Sequence, residues 1–153
     1  MRAFELKVPP PIVALLAGAA MWLVSRRGPS IDLPPLVCNA GAGVIALCGG
    51  ALALAGSIAF KRASTTINPL RPANASSLVT SGIYRYTRNP MYLGLLLVLV
   101  GWAVHLSSVL ALPGPLVFVL YIRRFQIEPE ERVLAAKFGQ SYSDYTSQVR
   151  RWL

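Results

Sequence analysis

Tyrosine, arginine and asparagine side chains are concentrated just before a long uncharged stretch of the chain, in the segment Gly82-Ile83-Tyr84-Arg85-Tyr86-Thr87-Arg88-Asn89-Pro90-Met91-Tyr92-Leu93-Gly94. Aromatic rings and guanidinium groups around the start of an apolar helix can form a rigid rim that holds a ligand at the membrane surface. An ordinary loop with interfacial aromatics and anchoring arginines has the same composition. The residue types alone leave both interpretations open.

A second polar group follows the last apolar stretch, where Pro129, Glu130 and Glu131 come together. These residues suit the first turn of a helix, because acids there complement the helix dipole. One glutamate can serve the helix while the other faces a ligand. Beyond them, apolar and aromatic residues recur at helical spacing, which predicts a helix over about 129–138, a break at Gly139 and a second short helix.

The elements that hold these groups must be membrane helices, because the composition is that of a membrane protein. Of the 153 residues, 54% are hydrophobic and 14% charged, with a mean hydropathy of +0.52. The net charge is +9, but the basic residues lie at the ends of apolar runs, where lipid headgroups would be. A nucleic-acid-binding protein would gather them on one polar face, so no nucleic-acid partner is expected.

Four apolar segments predict transmembrane helices at about 8–24, 36–60, 91–106 and 109–122. Ser107 and Ser108 interrupt the last long stretch, which indicates a helical hairpin. We therefore predict an all-α integral membrane bundle with short cytoplasmic helices. It forms a single domain over 1–153, with cytoplasmic segments at 64–92 and 123–153.

Small residues recur along the second apolar segment at Ala42, Ala46, Gly50, Ala51, Ala55 and Ala59. An i, i+4 row of small side chains lets another helix approach closely in lipid. We expect packing within the bundle, with a homo-oligomer contact as the alternative.

Cys38, Cys48 and His105 are not expected to carry chemistry. The two cysteines match no metal or redox spacing and are expected to be buried thiols, so no metal site is predicted. His105, the only histidine, lies near the hairpin tip, across the membrane from the polar segments, and is expected to be structural.

Charge asymmetry predicts the orientation. Four spans place both termini on one face, together with most of the lysines and arginines, and by the positive-inside bias this face is cytoplasmic. Arg26 and Arg27 oppose the bias. The first apolar segment also resembles a signal peptide, but the bulky residues Met21-Trp22-Leu23-Val24 favour an uncleaved span.

Two separated motifs resemble the family of isoprenylcysteine carboxyl methyltransferases and phospholipid N-methyltransferases. The first is Gly82-x-Tyr84 followed by Arg88-Asn89-Pro90-Met91-Tyr92-Leu93-Gly94. The second is Glu130-Glu131-x-x-Leu134-x-x-x-Phe138-Gly139-x-x-Tyr142-x-x-Tyr145, ending in Val149-Arg150-Arg151-Trp152. The similarity covers roughly 66–152, and a span hairpin separates the two motifs as in the family.

The resemblance implies a cytoplasm-facing pocket for S-adenosyl-L-methionine, with cofactor contacts from Ser76, Ser77, Leu78, Val79, Tyr84, Asn89, Pro90, Met91, Tyr92 and Glu130. A tyrosine face can stabilise the sulfonium by roughly 0.5–2 kcal/mol. Glu130 can pair with the ammonium or a ribose hydroxyl, and an arginine can hold the carboxylate. The sequence does not show which arginine binds the cofactor carboxylate, and Arg88 is either a site residue or a membrane anchor.

The chain departs from the family at two positions. The family commonly has histidine where this chain has Asn89, and asparagine cannot take a proton near neutral pH. The carboxyl methyltransferases have an arginine at the position of Gln126, which Arg123 or Arg124 could replace from one helical turn away. Arg124 and Asn89 are therefore the catalytic candidates.

The leading hypothesis is S-adenosylmethionine-dependent methyl transfer to a lipophilic thiol, amine or carboxylate that enters laterally from the bilayer. One alternative is an NADPH-dependent reductase of sterol-reductase-like architecture, but no glycine-rich dinucleotide fingerprint is present. A non-enzymatic alternative is a small four-helix transporter. Proton-coupled export of cations requires an acidic residue within a span, and the apolar spans contain none.

Overall fold

The computed structural model describes residues 5–32, 34–63 and 75–153. Its helices are α1 (Pro10–Ser25), α2 (Pro35–Arg62), α3 (Pro90–Leu106), α4 (Pro113–Ile122), α5 (Glu128–Phe138) and α6 (Gln140–Gln148). Short 3-10 turns occupy Gly82–Arg85 and Val109–Ala111, and a π turn occupies Arg123–Ile127. Throughout the described ranges the regular elements are helical, as the sequence predicts.

Proline and left-handed residues set the helix ends. Four of the helices begin at a proline, where the missing N–H has no intrahelical partner to lose: Pro10, Pro35, Pro90 and Pro113. Helix α3 ends at Ser107, with a φ of 43°, and Gly139, with a φ of 52°, separates α5 from α6. The predicted breaks at these two places are confirmed.

The return arm of the hairpin ends at Ile122, as predicted. The helical stretch nevertheless continues over Val109–Phe138, because no break separates α4 from α5. The continuation passes through the π turn just before Pro129. Proline has no N–H to donate, and its ring would clash with the carbonyl four residues earlier, that of Phe125, so a wider turn is favoured here. The Phe125 carbonyl instead accepts a hydrogen bond from the Leu6 N–H at 3.0 Å.

Helices α2 and α3 pack antiparallel with their backbones in close contact. A Cβ atom added at Gly94 would lie 2.5 Å from the Gly49 carbonyl oxygen, and one at Gly101 would lie 2.8 Å from the Ala42 oxygen. Gly56 contacts Met91 on the same face. These α2 residues are spaced by seven, as in knobs-into-holes packing. The sequence placed Gly50 among the small α2 residues that pack against another helix. That prediction is wrong, because an added Cβ at Gly50 would meet nothing within 4 Å.

The helices bury a central apolar cluster, with two smaller ones beside it, and leave a large apolar exterior. Met21, Leu99, Phe118 and Ile122 join α1, α3 and α4 in the core. Outside it, Leu15, Leu36 and Leu47 are 73%, 80% and 76% exposed. Apolar side chains this exposed on several helices indicate lipid contact.

Two helical stretches are long and apolar enough to cross a bilayer: α2, with a mean hydropathy of 2.0, and Val109–Phe138, with 1.3. Within the second, charged residues begin at Arg123 and become frequent from Glu128, so α5 lies outside the apolar part. The shorter apolar helices α1 and α3 have 16 and 17 residues, which corresponds to about 24 and 26 Å at 1.5 Å per residue.

Replacing Gly94 with alanine should destabilise the protein, because the added methyl group would overlap the Gly49 carbonyl and force α2 and α3 apart. Overpacking of this kind costs about 1–3 kcal/mol. We expect thermal unfolding in detergent at a lower temperature than wild type. Gly50→Ala is the matched control, since its methyl group meets open space and alanine is the better helix former. Equal unfolding temperatures for the two variants would contradict the close packing.

Candidate functional site

A cavity lies where the start of α3 meets the Gly82–Arg85 turn, α5 and α6. Its free space, including the open mouth and the solvent within it, is about 820 Å³. It is lined by Phe60, Ala75, Ser77, Leu78, Val79, Tyr84, Arg88, Asn89, Met91, Tyr92, Ile127, Glu130, Glu131, Leu134, Tyr142 and Tyr145. Both sequence motifs therefore contribute to one cavity.

Glu130 joins α5 to α3 across this cavity. The Tyr92 hydroxyl donates a hydrogen bond to Glu130 Oε2 at 3.0 Å. Burial raises the pKa of the Glu130 carboxyl to about 7, the hydrogen bond from Tyr92 lowers it, and the neighbouring Glu131 raises it. No lysine or arginine in the described ranges forms an ion pair with Glu130. Its carboxylate is therefore available to a cationic ligand.

Glu131, in contrast, is neutralised by two arginines. Arg151 contacts it with two hydrogen bonds of 3.0 and 2.6 Å, and Arg88 Nη2 lies 3.3 Å from its Oε1. The hydrogen bonds from Arg151 to Glu131 raise the pKa of Arg151. Arg88 Nε is buried and lacks a hydrogen-bond partner among the described residues. A buried donor without a partner is costly, and Arg88 Nε can donate to an acceptor placed in the cavity.

The end of the chain is attached to the residues just before α3. The Arg88 N–H donates to the Arg150 carbonyl at 3.1 Å, and Asn89 Nδ2 donates to the Arg151 carbonyl at 2.9 Å. The Thr87 hydroxyl accepts a hydrogen bond from the Asn89 backbone N–H at 3.2 Å. The Asn89 side chain thus fixes the segment that carries Arg151.

Tyrosines form the remaining wall. The ring of Tyr84 meets Phe60 edge to face at 5.3 Å, and the Tyr145 hydroxyl donates to the Tyr84 carbonyl at 2.8 Å. Burial raises the pKa of Tyr84, and the Glu130 carboxyl raises it further. Burial likewise raises the pKa of Tyr145 to about 12, although Arg88 lowers it. These phenols therefore stay neutral and present apolar faces with hydrogen-bonding edges.

The structure brings most of the predicted cofactor residues together. All of them line the cavity except Ser76 and Pro90, and Pro90 is fully buried at the start of α3. The part of the predicted segment over 64–74 lies outside the described residues.

The catalytic candidates from the sequence are differently placed. Asn89 lines the cavity, whereas Arg124 does not and lies 3.2 Å from Glu5 and 3.8 Å from Glu128. Gln126 is buried and donates to the Val8 carbonyl at 2.6 Å. Arg124 and Gln126 thus attach the N-terminal segment to the π turn.

Sequence reasoning did not assign Glu131, Ile127, Tyr142 or Tyr145 to the cavity. The helical spacing of Tyr142 and Tyr145 from Leu134 was visible and indicated a buried face, but not that this face would close a cavity. His105 lies at the far end of α3 and bonds Asn39 at 3.0 Å. Within the described ranges, no cluster of three histidine, cysteine or acidic residues could hold a metal ion.

Comparison with known proteins gives partial matches to curated relatives. An uncharacterized protein of Haemophilus influenzae is 49% identical over 63 residues, which is 41% of this chain and 100% of that protein. The protein-S-isoprenylcysteine O-methyltransferases of Tribolium castaneum and Schizosaccharomyces pombe are 33% and 37% identical over 60% and 47% of this chain. The matched regions cover 34% and 30% of those two enzymes, so the chain spans about a third of their length.

No solved structure gives a significant match. The family model for phospholipid methyltransferase matches residues 37–141, a region that includes α3, most of α2, the π turn and both glutamates of the cavity. Because this match covers more than half of the sequence, the chain belongs to the phospholipid methyltransferase family.

Proposed function

We propose that the protein is a membrane methyltransferase that binds S-adenosylmethionine in the cavity and methylates a lipophilic acceptor at the cytoplasmic face. The observation that carries the proposal is the placement of an unpaired carboxylate, Glu130, and a buried arginine donor, Arg88 Nε, in one aromatic cavity. Bound there, the cofactor supplies an electrophilic methyl group on a sulfonium.

The charged groups of the cavity match those of the cofactor. Glu130 is suited to the ammonium group or a ribose hydroxyl, because no cation of the described chain competes for it. Arg88 is suited to the carboxylate, because its Nη2 is held by Glu131 while Nε still needs an acceptor. Among the arginines, we therefore propose Arg88 as the one that binds the cofactor carboxylate.

The aromatic wall suits the sulfonium. The Tyr92 hydroxyl is fixed by Glu130 and the Tyr84 ring packs edge to face on Phe60, so both rings are oriented before a ligand arrives. An aromatic face over a desolvated cation contributes up to about 2 kcal/mol. Fixed groups of this kind lower the cost of ordering on binding.

Methyl transfer here depends on alignment rather than on a general base. The Asn89 amide is engaged with Arg151, and Arg124 is held by Glu5 outside the cavity. A thiolate, amine or carboxylate can attack directly once it is positioned in a dry site. An acceptor with a lipid-like body is supported by the family match and by the isoprenylcysteine substrates in the relatives' names.

We infer that α1, α2, α3 and the 109–122 arm all span the membrane as one domain. Both chain ends then lie at the cytoplasmic face. Lys61, Arg62, Arg85 and Arg88 lie at the cavity end of the bundle, and their number exceeds that of Arg26 and Arg27 at the other end, which supports this orientation.

Replacing Glu130 with glutamine should weaken binding of S-adenosylhomocysteine, which keeps the ammonium and carboxylate of the cofactor. Loss of a charge-assisted pair of about 1.5–3 kcal/mol corresponds to roughly a 10- to 100-fold higher Kd. Titration calorimetry on the detergent-purified protein measures this Kd for the wild type and for the variant.

Glu128→Gln is the matched control. Glu128 begins the same helix but pairs with Arg123 at the surface, so its replacement should leave the Kd within about twofold of wild type. Absence of binding by stable wild-type protein in detergent and in nanodiscs would overturn the cofactor assignment.

Binding of S-adenosylhomocysteine should strengthen between pH 6 and pH 8. Because burial raises the pKa of Glu130 to about 7, the carboxyl is mostly protonated at pH 6 and mostly ionised at pH 8. Only the ionised form pairs with an ammonium, so the Kd should fall several-fold across this range. The dependence should flatten in Glu130→Gln, and an unchanged pH profile in that variant would assign the titration to another group.

A further inference from the structure

A second concave surface lies within the membrane part of the molecule, between α1 and α2. Both helices pack on α3, and over the described residues they make no extensive contact with each other. Small residues leave the space open, among them Gly18, Ala42 and Gly43. A Cβ atom added at Gly43 would meet nothing within 4 Å. The result is an apolar groove with α3 as its floor.

The groove runs along most of the length of α1 and of α3. Its lining runs from Leu95 to His105 on α3 and from Pro11 to Trp22 on α1. At 1.5 Å per residue these are lengths of roughly 15 and 17 Å. The hydrocarbon of one leaflet is about 15 Å thick, half of the usual 30 Å. The groove therefore fits an acyl chain of a single leaflet.

The groove has one polar end, on the side away from the cofactor cavity. There His105 bonds Asn39 at 3.0 Å and stacks on Trp102 with ring centroids 5.2 Å apart. The Arg26 guanidinium carbon lies 4.5 Å from the centroid of the Trp22 ring, which lines the groove. No carboxylate in the described ranges pairs with Arg26, so its charge is available to a lipid phosphate.

We propose that this groove binds one phospholipid of the leaflet opposite the cofactor cavity. The acyl chain lies between α1 and α2, and the phosphate lies at Arg26 beside Trp22 and His105. The positive charge selects an anionic headgroup, so phosphatidylglycerol binds more tightly than phosphatidylcholine. The lipid keeps α1 and α2 on α3, where direct contacts between these two helices are few.

The placement of the polar groups separates this occupant from the methyl acceptor. An acceptor would need its reactive end towards the cavity, next to Leu95, where the groove is apolar, and its tail against His105 and Asn39. No described residue lines both the groove and the cavity. The proposal is thus independent of the proposed methyltransferase function.

Native mass spectrometry of the detergent-purified full chain, titrated with phosphatidylglycerol or phosphatidylcholine, tests the proposal. We expect one tightly bound lipid, with phosphatidylglycerol preferred by roughly 5-fold or more. Gly43→Leu places a side chain in the groove and should weaken this binding by about 10-fold or more. Gly50→Leu is the matched control, since Gly50 also lies in α2 with open space around it but does not line the groove.

Arg26→Gln distinguishes the contribution of the lipid headgroup to binding from that of the acyl chain. It should remove the preference for phosphatidylglycerol while a phospholipid still binds, and Arg27→Gln should retain the preference.

Equal lipid binding by Gly43→Leu and Gly50→Leu would overturn the groove assignment. A dimer that Gly43→Leu converts to a monomer would make the groove a contact between copies. Unchanged lipid binding with a raised acceptor KM in Gly43→Leu would assign the groove to the acceptor instead. S-adenosylhomocysteine binding should be normal in all four variants.

Discussion

The backbone hydrogen bond that Pro129 cannot make shapes the candidate site. A proline in this position leaves the Phe125 carbonyl without its usual helical donor, and the chain responds with a π turn over Arg123–Ile127. The N-terminal segment satisfies the freed carbonyl through Leu6. The extra residue of the π turn rotates α5 relative to α4, and Ile127 and Glu130 then line the cavity with the start of α3. The N-terminus thus supports a site to which it contributes no lining residue within the described ranges.

Adjacent glutamates on α5 have opposite electrostatic surroundings. Glu131 is compensated by Arg88 and Arg151, whereas Glu130 has a tyrosine hydroxyl. Successive residues on a helix point about 100° apart, so a pair of acids can serve one structural and one binding role. The ion pair with Glu131 also fixes Arg88 in place, while its Nε donor makes no hydrogen bond to a described residue. The cavity therefore holds a negative and a positive group that do not cancel each other.

The sequence predicted those features that depend on local chemistry. Prolines at helix starts, Gly139 and the Ser107–Ser108 break gave the helix ends, and the family resemblance of the two motifs gave half of the residues that line the cavity. Features that depend on long-range packing were not predictable. The contact face of α2 follows Gly49 and Gly56 rather than Gly50, because the crossing with α3 selects it. Attachment of the chain end to Asn89 likewise joins residues 62 positions apart, which no local pattern encodes.

In the membrane arrangement proposed above, the lengths of α1 and α3 would affect the bilayer as well as the protein. Spans of about 24 and 26 Å are shorter than the roughly 30 Å hydrocarbon layer. Hydrophobic mismatch of this size is relieved by local thinning of the bilayer, at a fraction of a kcal/mol per Å. In that arrangement, thinning would draw headgroups inward around α3, towards the depth of Tyr92. It would present the polar end of a lipid to the cavity without lifting its chain out of the bilayer.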